Sequence, residues 1–169
     1  MIKLGHELPD AIEVGGISYR VKTDYRVWIR LPEMNDYREL FIGDNPSFLG
    51  YFSREAIESI KEFYLCGKGS SDGNQEDQLM DFEQDSGRIY ASFLQAYNID
   101  LFEVELHWHK FLTLLQNLPE WTTLSKVISI RTYKGDDEEL NKLKDSYAIE
   151  RELTEAEERA GEYFEEVFG

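Results

Sequence analysis

The run Ile89-Tyr90-Ala91-Ser92-Phe93-Leu94-Gln95-Ala96-Tyr97, the break Asn98-Ile99-Asp100, and the run Leu106-His107-Trp108-His109-Lys110-Phe111-Leu112-Thr113-Leu114-Leu115-Gln116-Asn117-Leu118-Pro119 decide the fold class. Ile89, Tyr90, Phe93, Leu94 and Tyr97 recur at i, i+1, i+4, i+5 and i+8, giving a helix one wide apolar face that needs a partner. Asn98 and Asp100 break the pattern because their short side chains compete for the backbone. In the second run Leu106, Trp108, Phe111, Leu112, Leu114, Leu115 and Leu118 mix with His107, His109 and Lys110, as in a helix surrounded by protein, and Pro119 ends it. Thr122 or Thr123 can cap a third helix, where Leu124, Val127, Ile128 and Arg131 keep the i, i+3, i+4, i+7 spacing. Three consecutive helices with short connections are expected to pack on their sequence neighbours.

Toward the N-terminus, Ile12-Glu13-Val14 and Ile17-Ser18-Tyr19-Arg20-Val21 alternate around Gly15-Gly16, so a small β-hairpin is expected at about residues 10–22. Thr23 or Asp24 caps a helix carrying Tyr25, Val27, Trp28 and Leu31, with Pro32 near its end. Leu40-Phe41-Ile42 precedes a turn and receives no element. Pro46 and Ser47 favour one helical turn with Phe48, Leu49 and Phe52. Ser53 then caps an amphipathic helix bearing Ala56, Ile57, Ile60, Phe63 and Tyr64, stopped by Gly67. Residues 68–78 have no periodicity and read as a mobile loop, without a phosphate-binding glycine pattern.

After Gly135 the composition turns acidic. Leu140, Leu143 and Tyr147 form a narrow stripe on a charged helix, and Thr154 opens a last helix whose Tyr163, Phe164, Val167 and Phe168 share one face. The expected fold is mainly α, a helical bundle of about six to eight helices with the N-terminal β-hairpin. Residues 1–135 are read as a single helical domain and 136–169 as an acidic helical C-terminal extension.

At 169 residues the chain can bury a core without disulfides or metals. The single cysteine, Cys66, excludes an intramolecular disulfide and reads as a small core residue at a helix end. No apolar run approaches the roughly 20 residues that cross a bilayer, and the N-terminus lacks a signal-peptide core, so a soluble, cytosolic protein is expected. The 34 acidic and 18 basic side chains give −16. From Asp136 onward 13 acidic and 4 basic residues give −9, leaving −7 before it. That charge repels phosphate backbones and anionic lipid, disfavouring nucleic acid and membranes and favouring a basic or self-associating protein partner.

Few residues carry a chemical signature. His107 and His109, two apart on a helix, point roughly 200° away from each other and cannot clasp one metal ion as an i, i+4 pair does. They read as one structural histidine and one exposed one. Asp81, Glu83 and Asp85 alternate like calcium-loop ligands, but the glycine at the sixth place and the glutamate at the twelfth are missing, so they read as helix-start acids. Trp28, Trp108 and Trp121 are assigned to the core. No catalytic residue, cofactor site or metal site is expected.

Four stretches in order carry a family resemblance: Thr23-Asp24-Tyr25-Arg26-Val27-Trp28 after the Gly-Gly hairpin; Phe63-Tyr64-Leu65-Cys66-Gly67; Asp81-Phe82-Glu83-Gln84-Asp85 with Ile89 to Phe93 and Tyr97-Asn98-Ile99-Asp100-Leu101; and Leu106-His107-Trp108-His109-Lys110-Phe111. Leu124 to Arg131 extends it. With these the chain resembles the bacteriophage gene-product-fifteen family of siphophages and prophages. The resemblance implies a tail-morphogenesis protein, most simply a tail assembly chaperone that coats the tape-measure protein before tail-tube subunits polymerise, with the major tail protein as a further partner and no catalytic residues. It places the protein in the host bacterial cytoplasm. Two other classes are open: an acidic nucleic-acid mimic that inhibits a host enzyme, and a metal-assisted hydrolase using His107 or His109.

Left in water, Tyr163, Phe164, Val167 and Phe168 would forgo roughly 1.5–3 kcal/mol per large side chain. The stripe can dock on its own core, on a second copy in a homo-oligomer, or on the tape-measure protein, and an intermolecular contact is the expectation.

Overall fold

The computed structural model describes residues 4–43, 54–67 and 79–149. The turn at Phe48 and Phe52, the Ser53 cap, the 68–78 loop and the last helix with Tyr163, Phe164, Val167 and Phe168 lie outside the described residues. Those described form a mainly helical protein with six α-helices, two 3-10 turns and one two-stranded antiparallel hairpin. They gather into two compact units: residues 4–43, 54–67 and 106–111 in the first, and 79–105 with 112–149 in the second.

In the first unit, β1 (Ala11–Val14) and β2 (Ile17–Arg20) pair with Val14 opposite Ile17. Gly15 and Gly16 take φ of 60° and 77°, the two positive values such a two-residue turn requires. Ile12 and Val14 are buried, and β1 packs on α2 (Arg54–Tyr64), which buries Ala56, Ile57, Ile60 and Phe63. Two bonds tie the pair: Ser59 Oγ donates to the Glu13 carbonyl at 2.8 Å, and the Gly15 N–H donates to Glu55 Oε1 at 2.8 Å. Leu40-Phe41-Ile42, to which the sequence assigns no element, continues this edge. Lys22 N–H donates to the Leu40 carbonyl and Ile42 N–H to that of Arg20, with Leu40 and Phe41 buried.

Asp24 caps α1 (Tyr25–Ile29) by accepting the Arg26 N–H at 2.9 Å. The helix stops at Ile29, and Leu31–Glu33 around Pro32 is a 3-10 turn. Helix α2 closes one residue before the expected glycine. Cys66 at φ 55° is already left-handed, with Cys66 N–H on the Phe63 carbonyl and Gly67 N–H on that of Glu62. Cys66 is buried at this helix end and forms no disulfide, as expected of a single cysteine at a helix end.

The second unit is built on α3 (Ser86–Tyr97), α5 (Thr123–Arg131) and α6 (Glu138–Ser146), with α3 packed on α5 and α5 on α6. Helix α4 (Trp108–Gln116) begins in the first unit and ends in the second. Asn98 ends α3 at φ 53°, the left-handed cap its short amide tolerates. The buried face of α3 is not the expected one. Ile89, Ser92 and Phe93 are buried, whereas Tyr90 is half-buried and Leu94 is 42% exposed. The reason is α5, whose Leu124 N–H donates to the buried Ser92 hydroxyl at 3.0 Å, drawing a polar residue inward and turning Leu94 out. Capping of α5 also departs from expectation. Thr122 directs its hydroxyl to the Pro119 carbonyl and Ser125 Oγ, and the first amides of α5 are served from α3, by Ser92 Oγ and by Gln95 Oε1.

Among the described residues no helix is long and apolar enough to cross a membrane.

Ser92→Ala would leave the Leu124 amide buried and unsatisfied, at a cost of about 1–3 kcal/mol. Chemical denaturation of wild type and variant checks it; Gln95→Ala, at an exposed position, should cost less than half as much.

Candidate functional site

In the first unit residues 106–108 lie along 23–25, with Tyr25 N–H donating to the Leu106 carbonyl and Trp108 N–H to that of Thr23. This positions both candidate histidines. His107 stands immediately before α4, so the helical angle between positions two apart does not separate the rings, whose centroids are 5.2 Å apart. His107 Nδ1 accepts the His109 N–H at 3.0 Å, so it caps α4 as an Asp or Ser side chain ordinarily would. Its Nε2 lies 2.9 Å from the Pro9 carbonyl. A carbonyl only accepts, so His107 is the neutral tautomer with its proton on Nε2. His109 is buried, and its Nε2 donates to the Phe63 carbonyl at 2.7 Å. Both rings are thus structural. Burial holds both pKa values below the ordinary histidine value, against the raising effect of each carbonyl contact.

The rings belong to an aromatic cluster. Trp28 stacks on Phe63 at 4.5 Å, Phe63 meets His109 at 4.6 Å, and Tyr25 stacks on Phe111 at 4.5 Å. Each buried indole donates to a main-chain carbonyl, Trp28 Nε1 to Lys22 at 2.6 Å and Trp108 Nε1 to Tyr64 at 2.9 Å. Trp28 and Trp108 are fully buried, as assigned. Trp121 is not: it is 56% exposed, because it lies in the turn before α5 and no described element covers it. Beside His109 a cavity of about 330 Å³ opens between the hairpin and α2, floored by Ile12, Phe63 and Cys66 and rimmed by Glu13, Ser59 and Glu62.

In the second unit the three acids have separate tasks. Asp81 Oδ1 accepts the N–H groups of Glu83 and Gln84, closing a turn. Glu83 is exposed. Asp85 is not a helix-start acid in water. Its carboxylate is fully buried and makes no side-chain cap. Arg131 grips it through Nη1 to Oδ2 at 2.6 Å and Nη2 to Oδ1 at 3.0 Å, Arg88 reaches Oδ1 at 2.7 Å, and Asp81 N–H donates to Oδ2 at 3.1 Å. Burial by itself would raise the Asp85 pKa, but the bonds from Arg131, the Asp81 amide and Arg88 together outweigh it and hold the carboxyl below its ordinary value. Arg131, which the spacing places on the apolar stripe of α5, also donates through Nε to the Tyr147 carbonyl at 2.6 Å and through Nη1 to that of Leu79 at 3.0 Å. No sequence signal joins Asp85 to Arg131. Among the described residues no group of three His, Cys, Asp or Glu side chains could hold a metal ion, and every buried side-chain nitrogen or oxygen has a partner.

A family model described as Bacteriophage Gp15 protein matches residues 50–153. No curated protein and no solved structure matches the chain.

Two titrations follow from this geometry. His107 and His109 have folded pKa values below the unfolded value of about 6.5, so unfolding takes up protons; their stability contribution is full above about pH 6.5 and is lost as pH falls through the folded values. Thermal melts between about pH 7.5 and 5.5 should show this slope, and His107→Gln with His109→Gln should flatten it. For Asp85 the folded pKa is again the lower one, so its contribution is present above about pH 3.9 and lost below it. Asp85→Asn leaves Arg131 buried without its counter-ion and should cost about 3–5 kcal/mol at neutral pH. Adding Arg131→Met should recover part of that loss, measured as a double-mutant cycle in urea.

Proposed function

Because the chain belongs to the bacteriophage Gp15 protein family, we propose that it is a tail assembly chaperone that holds the tape-measure protein in the host bacterial cytoplasm, without catalysis, until the tail tube is built around it. Membership of that family supports a phage structural or assembly protein in general, and the match over residues 50–153 is the observation that carries the reading. Two physical features are consistent with the narrower role. The formal charge of −16 keeps the protein and whatever it holds dispersed, and it attracts basic segments. The donors of His107 and His109 are committed to main-chain carbonyls, which is scaffold work.

Co-expression with the tape-measure protein of the same phage should move that protein from the pellet to the soluble fraction and yield a complex on size exclusion. A tape-measure protein that aggregates equally with and without this chain ends the proposal. Truncation after Glu152 should leave the melting temperature of the dilute protein nearly unchanged while weakening the complex, if Tyr163, Phe164, Val167 and Phe168 make the contact.

A further inference from the structure

Helix α3 holds one charged residue, Arg88, in its twelve positions, in a chain that is 31% charged, and that guanidinium is turned onto Asp85. At about 100° per residue, Gly87, Tyr90, Ala91 and Leu94 share an arc on the side of α3 opposite the buried Ser92, Ile89 and Phe93. Leu94 is 42% exposed, and a Cβ built on Gly87 would meet nothing within 4 Å. One large ring borders this arc. Phe102, 82% exposed, rests on Tyr90 with centroids 5.2 Å apart. Asp100 fixes it there, accepting the Phe102 N–H at 2.9 Å and the Tyr90 hydroxyl at 3.2 Å. On the other side Gln95 Oε1 takes both the N–H and the hydroxyl of Thr123, two residues after the exposed Trp121.

An exposed strip of aromatic and aliphatic side chains, held by specific hydrogen bonds, has the character of a binding face. Charge selects the occupant. Asp100 holds Tyr90 and Phe102, and the exposed Glu103 follows Phe102, so carboxylates stand at this border. A second copy, at −16, would bring like charge onto them. The chain's own residues 150–169, with eight acidic and two basic side chains, would do the same. Gly87 and Ala91, one turn apart, leave room for the backbone of a closely approaching helix.

We propose that the strip formed by Tyr90, Leu94 and Phe102 docks an amphipathic helix of another protein, one whose apolar stripe is bordered by Lys or Arg. The inference does not depend on the assembly role.

The test uses the full chain and two synthetic peptides of about 18 residues made only of Leu and Lys: one with Leu at i, i+3, i+4 and i+7, the other with the same composition scrambled so that no face is apolar. Binding is read by tryptophan fluorescence and calorimetry at about 0.15 M salt, where exposed charges are screened beyond about 8 Å. The amphipathic peptide should bind at least about ten-fold more tightly than the scrambled one, and Phe102→Ser and Leu94→Gln should each weaken it about five-fold or more with unchanged circular dichroism. Phe102→Ser alone decides the matter if Leu94→Gln alters the fold. Equal binding of the two peptides, or undiminished binding by Phe102→Ser, overturns the proposal. Self-association in sedimentation that Phe102→Ser abolishes also overturns it, because the strip would then belong to a second copy.

Discussion

An ionised carboxylate with no exposure to water must be surrounded by donors, and the second unit is arranged to surround Asp85. Removing such a charge from water costs several kcal/mol, which is offset only when every lone pair finds a well-placed partner. Arg131, Arg88 and the Asp81 amide are those partners. Arg131 gives two further N–H groups to the carbonyls of Leu79 and Tyr147. The segment leading into α3, the start of α3, the last residue of α5 and the end of α6 therefore meet at one guanidinium. An apolar cluster of the same volume could be as stable, but it would tolerate sliding; the bidentate pair accepts one register.

The first unit uses a related device with neutral groups. Helix α2 ends at Tyr64, where the left-handed turn at Cys66 serves the Glu62 and Phe63 carbonyls and rings of another helix complete the closure. His109 donates to Phe63 and Trp108 to Tyr64, so the first turn of α4 closes the end of α2. Trp28 and His107 do the same for Lys22 and Pro9. Each ring buries a large apolar body while delivering one donor to a carbonyl where regular structure stops. That dual nature explains why the indoles and imidazoles lie near the ends of elements.

Local spacing and tertiary packing disagree most at α3. Periodicity identifies the helix and its end at Tyr97 but misjudges its orientation, counting Leu94 as core and passing over Ser92, and the helix begins at Ser86, ahead of the apolar pattern. Counting apolar residues favours the widest hydrophobic face, whereas a buried hydroxyl that serves the Leu124 amide outweighs the gain from burying one leucine. Trp121 fails for a similar reason: its size argues for burial, but a residue in a turn is buried only if another element covers it.

Hairpin, helix positions, the Asp24 cap, net charge and family are legible from the amino-acid order, because each depends on residues within about one or two turns of one another or on simple totals. The two units, the Asp85–Arg131 pair across 46 residues, the use of α3 side chains to cap α5 and the exposure of Leu94, Phe102 and Trp121 were decided only by the tertiary structure. These depend on which residue of one element comes level with which residue of another. That register is set by the summed packing of the whole unit, and no local spacing encodes it.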